Sequence, residues 1–443
     1  MKTHIAYGRR RLTLELPAGA VELRTAAVEP LRAPTEATAH ALRSPIGSPP
    51  LRQLAQGKRH ACVVVSDITR PVPYRVLLPP LLAELEGAAE RVTLLVATGT
   101  HRPSTAAEKA EMFGPDVVAR YPVIDHDSRD PAGLVALPTG TASGTRPRIN
   151  RLYLDADLKI LTGLVEPHFM AGYSGGRKAV LPGLADLQTV QRFHGPRFLE
   201  DPRATSGVLD GNPCHQEAAE AARLAGADFT LNVALDLERR IVGVFAGDPE
   251  AAFAAAVAKV DSYCRAEADE PADLVVTSGG GYPLDKTFYQ TVKGMVGALP
   301  VVKEGGAILI ASECSEGIGN HEYADLMLRY DGRHEEFLRD IQARPEVEQD
   351  QWEFEEQCKV LRRVGVAGLV VCTNGVPPTL LARLSVTPAS MLFRSVEPER
   401  QLQGALDALL RRRPGARVVA IPDGPYVLAG LRSLPKVPIP SGG

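Results

Sequence analysis

The sequence predicts an α/β fold in two domains with parallel-rich sheets, and three observations carry the prediction. Short runs of Val, Ile and Leu alternate with longer segments of helical period. Polar, Gly-rich segments follow directly on several of those runs, where α/β folds place their ligand sites. A chain of 443 residues is long enough for two to three domains at roughly 150 residues each.

The elements follow in chain order. Ala61–Val65 reads as a buried strand, Val76–Glu86 as a helix, Val92–Ala97 as a strand and Thr105–Phe113 as a helix. Leu158–Thr162 is the next strand, and Asn212–Leu224 and the Ala-rich Pro249–Val260 are helices. Leu274–Thr277, Ala307–Ala311, Leu369–Cys372 and Val418–Ile421 read as strands, with helices at Thr287–Leu299 and Arg400–Arg411. Strands separated by helices imply crossover connections and parallel sheets. The polar stretch Cys264–Ala272 marks a seam, giving an N-terminal domain over 1–268 and a C-terminal domain over 269–414. The tail 415–443 is expected to return to the first domain, with Pro435–Gly443 frayed. The charge-rich segment Arg339–Glu356 reads as a solvated helix.

Composition narrows the function. Lys plus Arg total 50 against 53 Asp plus Glu, a net charge of -3, so there is no basic footprint for nucleic acid. No stretch approaches 18 apolar residues and no signal peptide opens the chain, so a cytoplasmic protein without a membrane partner is expected. Six scattered cysteines form no C-x-x-C pair, which sets aside a zinc or dithiol site. Only 11 of the 50 cations are Lys, so a Lys inside a Gly-rich turn draws notice.

Four segments concentrate the chemistry. Ser66-Asp67-Ile68-Thr69-Arg70-Pro71-Val72-Pro73 and Ala97-Thr98-Gly99-Thr100-His101-Arg102-Pro103 each stand at the end of a predicted strand. Glu166-Pro167-His168-Phe169-Met170-Ala171-Gly172-Tyr173-Ser174-Gly175-Gly176-Arg177-Lys178 is the third, and Ser278–Lys286 leading into Tyr289-Gln290-Thr291-Val292-Lys293 the fourth. Taken alone, Asp67 and Thr69 are common turn residues, His101 an ordinary exposed histidine, and the glycines tight turns. Ser174-Gly175-Gly176-Arg177-Lys178, however, joins backbone donors to two cations, the combination a phosphate needs. It matches neither the P-loop nor the G-x-G-x-x-G spacing, which argues against an ordinary kinase or NAD dehydrogenase. Of ten histidines, His101, His168 and His194 stand near the polar loops. His126 is a rival between two aspartates in a loop that reads as solvated, and His215 reads as a helix-start residue.

In order, Asp67-x-Thr69-Arg70-Pro71, Gly99-x-His101-Arg102, the His168–Lys178 run and Tyr289-Gln290-x-x-Lys293 resemble the nickel-pincer nucleotide-dependent lactate racemase family. Tyr7-Gly8 and Ala41–Gly47 extend the likeness, which covers about Tyr7 to about Tyr426. The resemblance implies two Rossmann-like domains with the active site in the interdomain cleft. It implies a nickel-bearing pyridinium-3-thioamide-5-thiocarboxylic acid mononucleotide, tethered covalently to Lys178, with His194 completing the nickel site. Square-planar nickel with soft donors is chemically coherent. It implies that His101 and His168 are the acid/base pair, oriented in the first case by Asp67, with Thr69, Ser174, Gly175, Gly176 and Arg177 around the cofactor. Arg70, Tyr289, Gln290 and Lys293 are implied to hold substrate, and Trp352, the only Trp, to line the pocket. A small 2-hydroxy acid and cofactor-synthesis proteins are the implied partners.

The chemistry asks for these residue types. The C2–H of a 2-hydroxy acid is not acidic, so inversion goes by hydride transfer while a base takes the hydroxyl proton. Two faces need two bases, which suits two histidines titrating near neutrality. Two rivals stay open: a lyase using Lys178 as nucleophile without nickel, and a non-catalytic carrier of the cofactor. Retention of both His101 and His168 argues against the carrier.

Overall fold

The computed structural model describes residues 1–344 and 346–432. The chain forms an α/β protein with two compact units, each built on a six-stranded sheet. The first unit spans Ala27–His194 and Asp201–Ser262. Its strands run in the order Ile241–Gly247, Phe229–Leu235, Leu158–Leu164, Lys58–Ser66, Ala89–Ala97 and Val123–Asp125. All neighbours are parallel except the Ile241–Gly247 edge. Val63, Val64 and Val65 are all fully buried, which is why the run is apolar at every position: a central parallel strand is covered on both faces.

The second unit comprises Met1–Ala26, Gly195–Glu200 and, among the described residues, the chain from 263 to 432. Its sheet is wholly parallel, in the order Thr387–Pro388, Leu369–Cys372, Val302–Ala311, Ala272–Ser278, Val418–Ile421 and Val21–Glu22. Two expectations change here. The first 26 residues belong to the second unit, because Ile5, Tyr7, Leu12 and Leu14 share a core with Leu274, Leu309, Leu402 and Leu409. The strand Val418–Ile421 pairs with Leu274–Thr277 instead of returning to the first domain. Residues 433–443, the end of the expected returning tail, lie outside the described residues.

A third difference concerns Arg339–Glu356. It divides between helices His334–Ala343 and Gln351–Gly368, and the second is far from solvated: Trp352, Glu353, Phe354, Glu355 and Glu356 are all buried. Local capping follows the sequence more closely. Asn212 caps and Pro213 opens the helix Pro213–Ala225, and Thr105 with Glu108 closes a capping box on Ala106–Phe113. Among the described residues no helix is long and apolar enough to cross a membrane.

Candidate active site

Strands Leu158–Leu164, Lys58–Ser66 and Ala89–Ala97 lie side by side and parallel, so their C-terminal ends share one sheet edge. The loops that leave those ends carry Asp67, Thr69 and Arg70, then His101, then Glu166 and His168. Three loops from adjacent strands meeting at a carboxyl edge is the usual placement of an α/β ligand site.

Asp67 is the fixed point. It is buried, and its Oδ1 accepts from the Thr69 amide at 3.1 Å and the Thr69 hydroxyl at 2.6 Å. Its Oδ2 accepts from His101 Nδ1 at 2.6 Å. Burial by itself would raise this carboxyl, but the His101 bond and charge, the Thr69 hydroxyl and the Arg70 charge together hold it below the usual carboxylate range. Thr69 therefore serves Asp67 within this network. The His101 ring is about half exposed, which leaves its Nε2 edge toward solvent for a ligand. Its loop is pinned by Gly99, whose left-handed φ of 57° lets the amide reach the Gly183 carbonyl at 3.0 Å. Arg70 lies 3.8 Å from Glu166, a pairing the sequence did not suggest.

His168 sits on a short hairpin, Pro167–His168 against Gly172–Tyr173. Its Nδ1 accepts from the amides of Met170 and Ala171, both at 3.3 Å. Phe169 stacks on the ring at 5.2 Å between centroids.

The Gly-rich turn departs from the phosphate-cradle expectation for several of its members. Ser174 Oγ donates to the Leu164 carbonyl and accepts from the Glu166 amide, so it ties the loop to the strand. The Gly176 amide donates to Asn232 Oδ1. Gly175, at φ 81°, leaves no room for a Cβ, which would stand 2.8 Å from Val165 Cγ2. Arg177 turns inward: its guanidinium donates to the carbonyls of Ala171, Tyr173 and Gly175 and lies on the Phe253 ring at 4.2 Å. Burial pulls it down to about 9. A buried guanidinium occupied by main-chain carbonyls braces the turn and is not presented to a phosphate, so Arg177 is corrected from ligand cation to structural brace.

Lys178, by contrast, reaches the face of Phe193 at 5.8 Å, and its charge acts on His194. His194 ends the helix Leu187–Phe193, with Nδ1 bonded to the Val190 carbonyl at 2.9 Å. Burial, then the Lys178 charge, lowers it to about 3. The ring is thus neutral, with Nδ1–H on a carbonyl, the contact that fixes the tautomer of a metal-ligating histidine. A primary amine next to it suits covalent attachment of a group. These two residues fit the implied nickel nucleotide; Ser174, Gly176 and Arg177 support their turn.

In the second unit, Tyr289, Gln290 and Lys293 stand on the helix Phe288–Gly297. The Tyr289 hydroxyl accepts from Trp352 Nε1 at 3.0 Å and donates to Asp350 at 3.3 Å, and Asn320 holds the other Asp350 oxygen at 2.7 Å. Tyr289 and Trp352 are therefore partners of each other inside this unit. Gln290 Oε1 is buried with no hydrogen-bond partner. Glu353 is also buried; its carboxyl is pushed well up by burial, eased by the Lys293 charge. His126, the rival histidine, is buried rather than solvated, bridging the Ala185 carbonyl and Asn150 as a structural tie. His215 is half-buried, lowered to about 3 by burial and the Arg177 charge.

Sequence reading missed Asn212 as a site residue. Its amide donates to the carbonyls of Met170 and Val208 while its Oδ1 caps the following helix. The Asn212-Pro213 pair signalled only the cap.

Fold and geometry define a two-unit α/β protein with a histidine–aspartate pair, a second histidine two strands along the same sheet edge, and a lysine beside a neutral histidine. The chain belongs to the lactate racemase family. Residues 7–207 match the lactate racemase N-terminal domain and 267–429 the C-terminal domain. It is 37% identical to a lactate racemase of Thermoanaerobacterium thermosaccharolyticum over 81% of this chain and 85% of that one. It is 34% identical to a lactate racemase of Lactiplantibacillus plantarum over 95% of this chain and 97% of that one. A solved lactate racemase apoprotein from T. thermosaccharolyticum superposes with a TM-score of 0.87 at 34% identity, covering 97% of this chain and all of that one. A Thermotoga maritima protein at 20% identity shares the fold, with a TM-score of 0.66 over 90% of this chain and 98% of that one.

Proposed function

We propose that this protein is a racemase that inverts C2 of a 2-hydroxy acid, with lactate as its substrate. The observation that carries the reading is the pair of histidines at one carboxyl edge of the sheet, on loops that leave the two strands flanking the Asp67 strand, one of them bonded to the buried carboxylate of Asp67 at 2.6 Å. The relatives named lactate racemase support it.

In this reading His101 takes the hydroxyl proton on Nε2, and the resulting imidazolium is stabilised by Asp67 through Nδ1–H. His168 serves the opposite hand of the substrate. Arg70 receives the substrate carboxylate, sharing its guanidinium with Glu166. Lys178 and His194 would hold the nickel-pincer nucleotide, which when bound supplies hydride exchange at C2. The reading carries with it a cytoplasmic location and supply of the nucleotide by cofactor-synthesis proteins.

The test is a panel of enantiopure 2-hydroxy acids, lactate first, followed for loss of optical purity with nickel-loaded enzyme. Racemisation of lactate supports the proposal; retention of configuration across the panel overturns it. Intact mass and nickel content separate the rivals. A Lys178-linked mass increment with bound nickel but no turnover marks a carrier, and turnover by unmodified protein marks a lyase.

A further inference from the structure

We propose, resting on the racemase reading, that Asn212 is a positioning residue that keeps the proton of His168 on Nε2. The two histidines then stand in opposite tautomers in the resting enzyme.

The argument is one of donors and acceptors. A carboxylate only accepts, so the 2.6 Å contact between His101 Nδ1 and Asp67 Oδ2 places the His101 proton on Nδ1. Its Nε2 holds a lone pair and is ready to take a proton. A backbone N–H only donates. Two of them, from Met170 and Ala171, converge on His168 Nδ1, so the lone pair is on that nitrogen. The neutral His168 ring must carry its proton on Nε2, where it is a donor.

What makes this a held state is the bracing of the peptides behind those amides. The Met170 carbonyl and the Ala171 N–H belong to one peptide plane. That carbonyl accepts from Asn212 Nδ2 at 2.9 Å. Asn212 is completely buried, and its other contacts fix it: Nδ2 to the Val208 carbonyl at 3.0 Å, and Oδ1 to the amides of Cys214 and His215 at 2.9 and 3.1 Å. The next carbonyl, Ala171, accepts from the buried guanidinium of Arg177 at 2.9 Å. Gly172 then turns at φ 75°, with no space for a Cβ, which would stand 2.2 Å from the Val208 carbonyl. Swinging the Ala171 amide aside to admit a proton on Nδ1 would break bonds to two buried side chains.

The consequence is directional. The enantiomer whose hydroxyl faces His101 meets an acceptor at once, and the proton returned on the opposite hand comes from His168 once that ring has taken a second proton from solvent, so that it ends neutral. The enantiomer facing His168 meets a donor, and His168 must shift its proton from Nε2 to Nδ1 before it accepts one, with no net change in its proton count. Racemisation has an equilibrium constant of one, so kcat/KM is equal from both enantiomers. The asymmetry therefore shows as a split: the enantiomer facing His168 has both KM and kcat lower, by the same factor. Two long hydrogen bonds correspond to a factor of roughly ten.

The experiment uses the full chain labelled with 15N-histidine, without cofactor, at mildly alkaline pH. Two-bond 1H–15N correlations distinguish the tautomers, and His101→Gln and His168→Gln assign the signals. The expected result is an Nδ1–H pattern for His101 and an Nε2–H pattern for His168. An Nδ1–H or mixed pattern for His168 overturns the proposal. Asn212→Asp then tests the positioning role: it keeps the oxygen that caps the helix and sets an oxygen against the Met170 and Val208 carbonyls. His168 is expected to become a tautomer mixture in that variant, and the roughly tenfold KM and kcat split to close. An unchanged spectrum and split overturn the role of Asn212, and should the variant fail to fold, the parent spectrum still decides the tautomer. An Nε2–H signal in a protein that racemises nothing overturns the racemase reading while leaving the tautomer assignment standing.

Discussion

The loop that carries His101 and the hairpin that carries His168 leave neighbouring regions of one sheet edge, and they hold their rings by different means. His101 is gripped by a side chain: a buried carboxylate, itself fixed by Thr69, takes its Nδ1 proton. His168 is gripped by main chain: two amides point at its Nδ1, and Asn212 and Arg177 hold the carbonyls behind them. The first grip stabilises added charge on the ring; the second opposes it, since a protonated Nδ1 would face two N–H donors. Identical residue types from one edge are thus set to different work by what faces a single nitrogen.

The strongest way to break the comparison is to remove each ring. His101→Ala and His168→Ala should each slow racemisation from both enantiomers by ~10²–10⁴-fold, because a full inversion uses both hands. A variant with undiminished progress curves from either enantiomer would remove that histidine from the proton path. Asp67→Asn acts on one grip only. It should lower kcat by roughly 10–100-fold, since a charge-assisted bond is replaced by a neutral one, while the His168 nitrogen signals stay where they are. Movement of His168 signals in that variant would show the two grips to be coupled.

Arg70→Lys keeps the charge and loses the planar fork, so KM for lactate should rise by about tenfold with less change in kcat. Equal KM values would place the substrate carboxylate elsewhere. The smallest effect is on stability, and it extends the contrast between a paired and an unpaired carboxylate. Asp67 is held below its ordinary value, so it contributes stability at neutral pH that is lost as pH falls through its native titration. Glu355 has both oxygens buried without a hydrogen-bond partner, and burial, then the Glu200 and Glu356 charges, pushes it up to about 9. Glu356 is raised to about 7 by burial, against the pull of Lys359. These two retain protons in the folded state that the unfolded chain has already released above its ordinary carboxyl range. Stability should therefore decline as pH rises from the ordinary carboxyl range through about 7 to about 9. Glu355→Gln should flatten that slope in a series of melting temperatures, and an unchanged slope would place the pH dependence elsewhere.

The strands legible in the sequence were those buried on both faces, where apolar residues run unbroken: Leu369–Cys372 and Val418–Ile421 are placed to the residue. Phe229–Leu235 escaped because Thr230 and Asn232 interrupt it. Both are buried and bonded, Asn232 to the Gly176 amide and to Thr230 itself. The helix Gln351–Gly368 was misread because burial of charge leaves no mark in a local pattern. Asp67, His101, His168, Lys178 and His194 stood out by residue type beside turns. Arg177 stood out for the wrong reason, since charge in a sequence does not reveal whether a guanidinium faces a ligand or its own backbone. Asn212 gave no sign, because its amide works on a carbonyl 42 residues earlier in the chain.

The second unit draws its first and its late residues into one sheet, with Val21–Glu22 beside Val418–Ile421. A ribosome makes the hairpin Lys2–Tyr7 and Arg10–Glu15 hundreds of residues before Leu402 and Leu409, which help cover it, exist. For most of synthesis Ile5, Leu12 and Leu14 form an apolar ribbon without its lid, the kind of exposed edge that invites chaperones or self-association. A genetic split at the seam near Tyr263 would make that wait permanent. A fragment beginning at Ala27 leaves the ribbon behind and is the better starting point for producing the first unit alone.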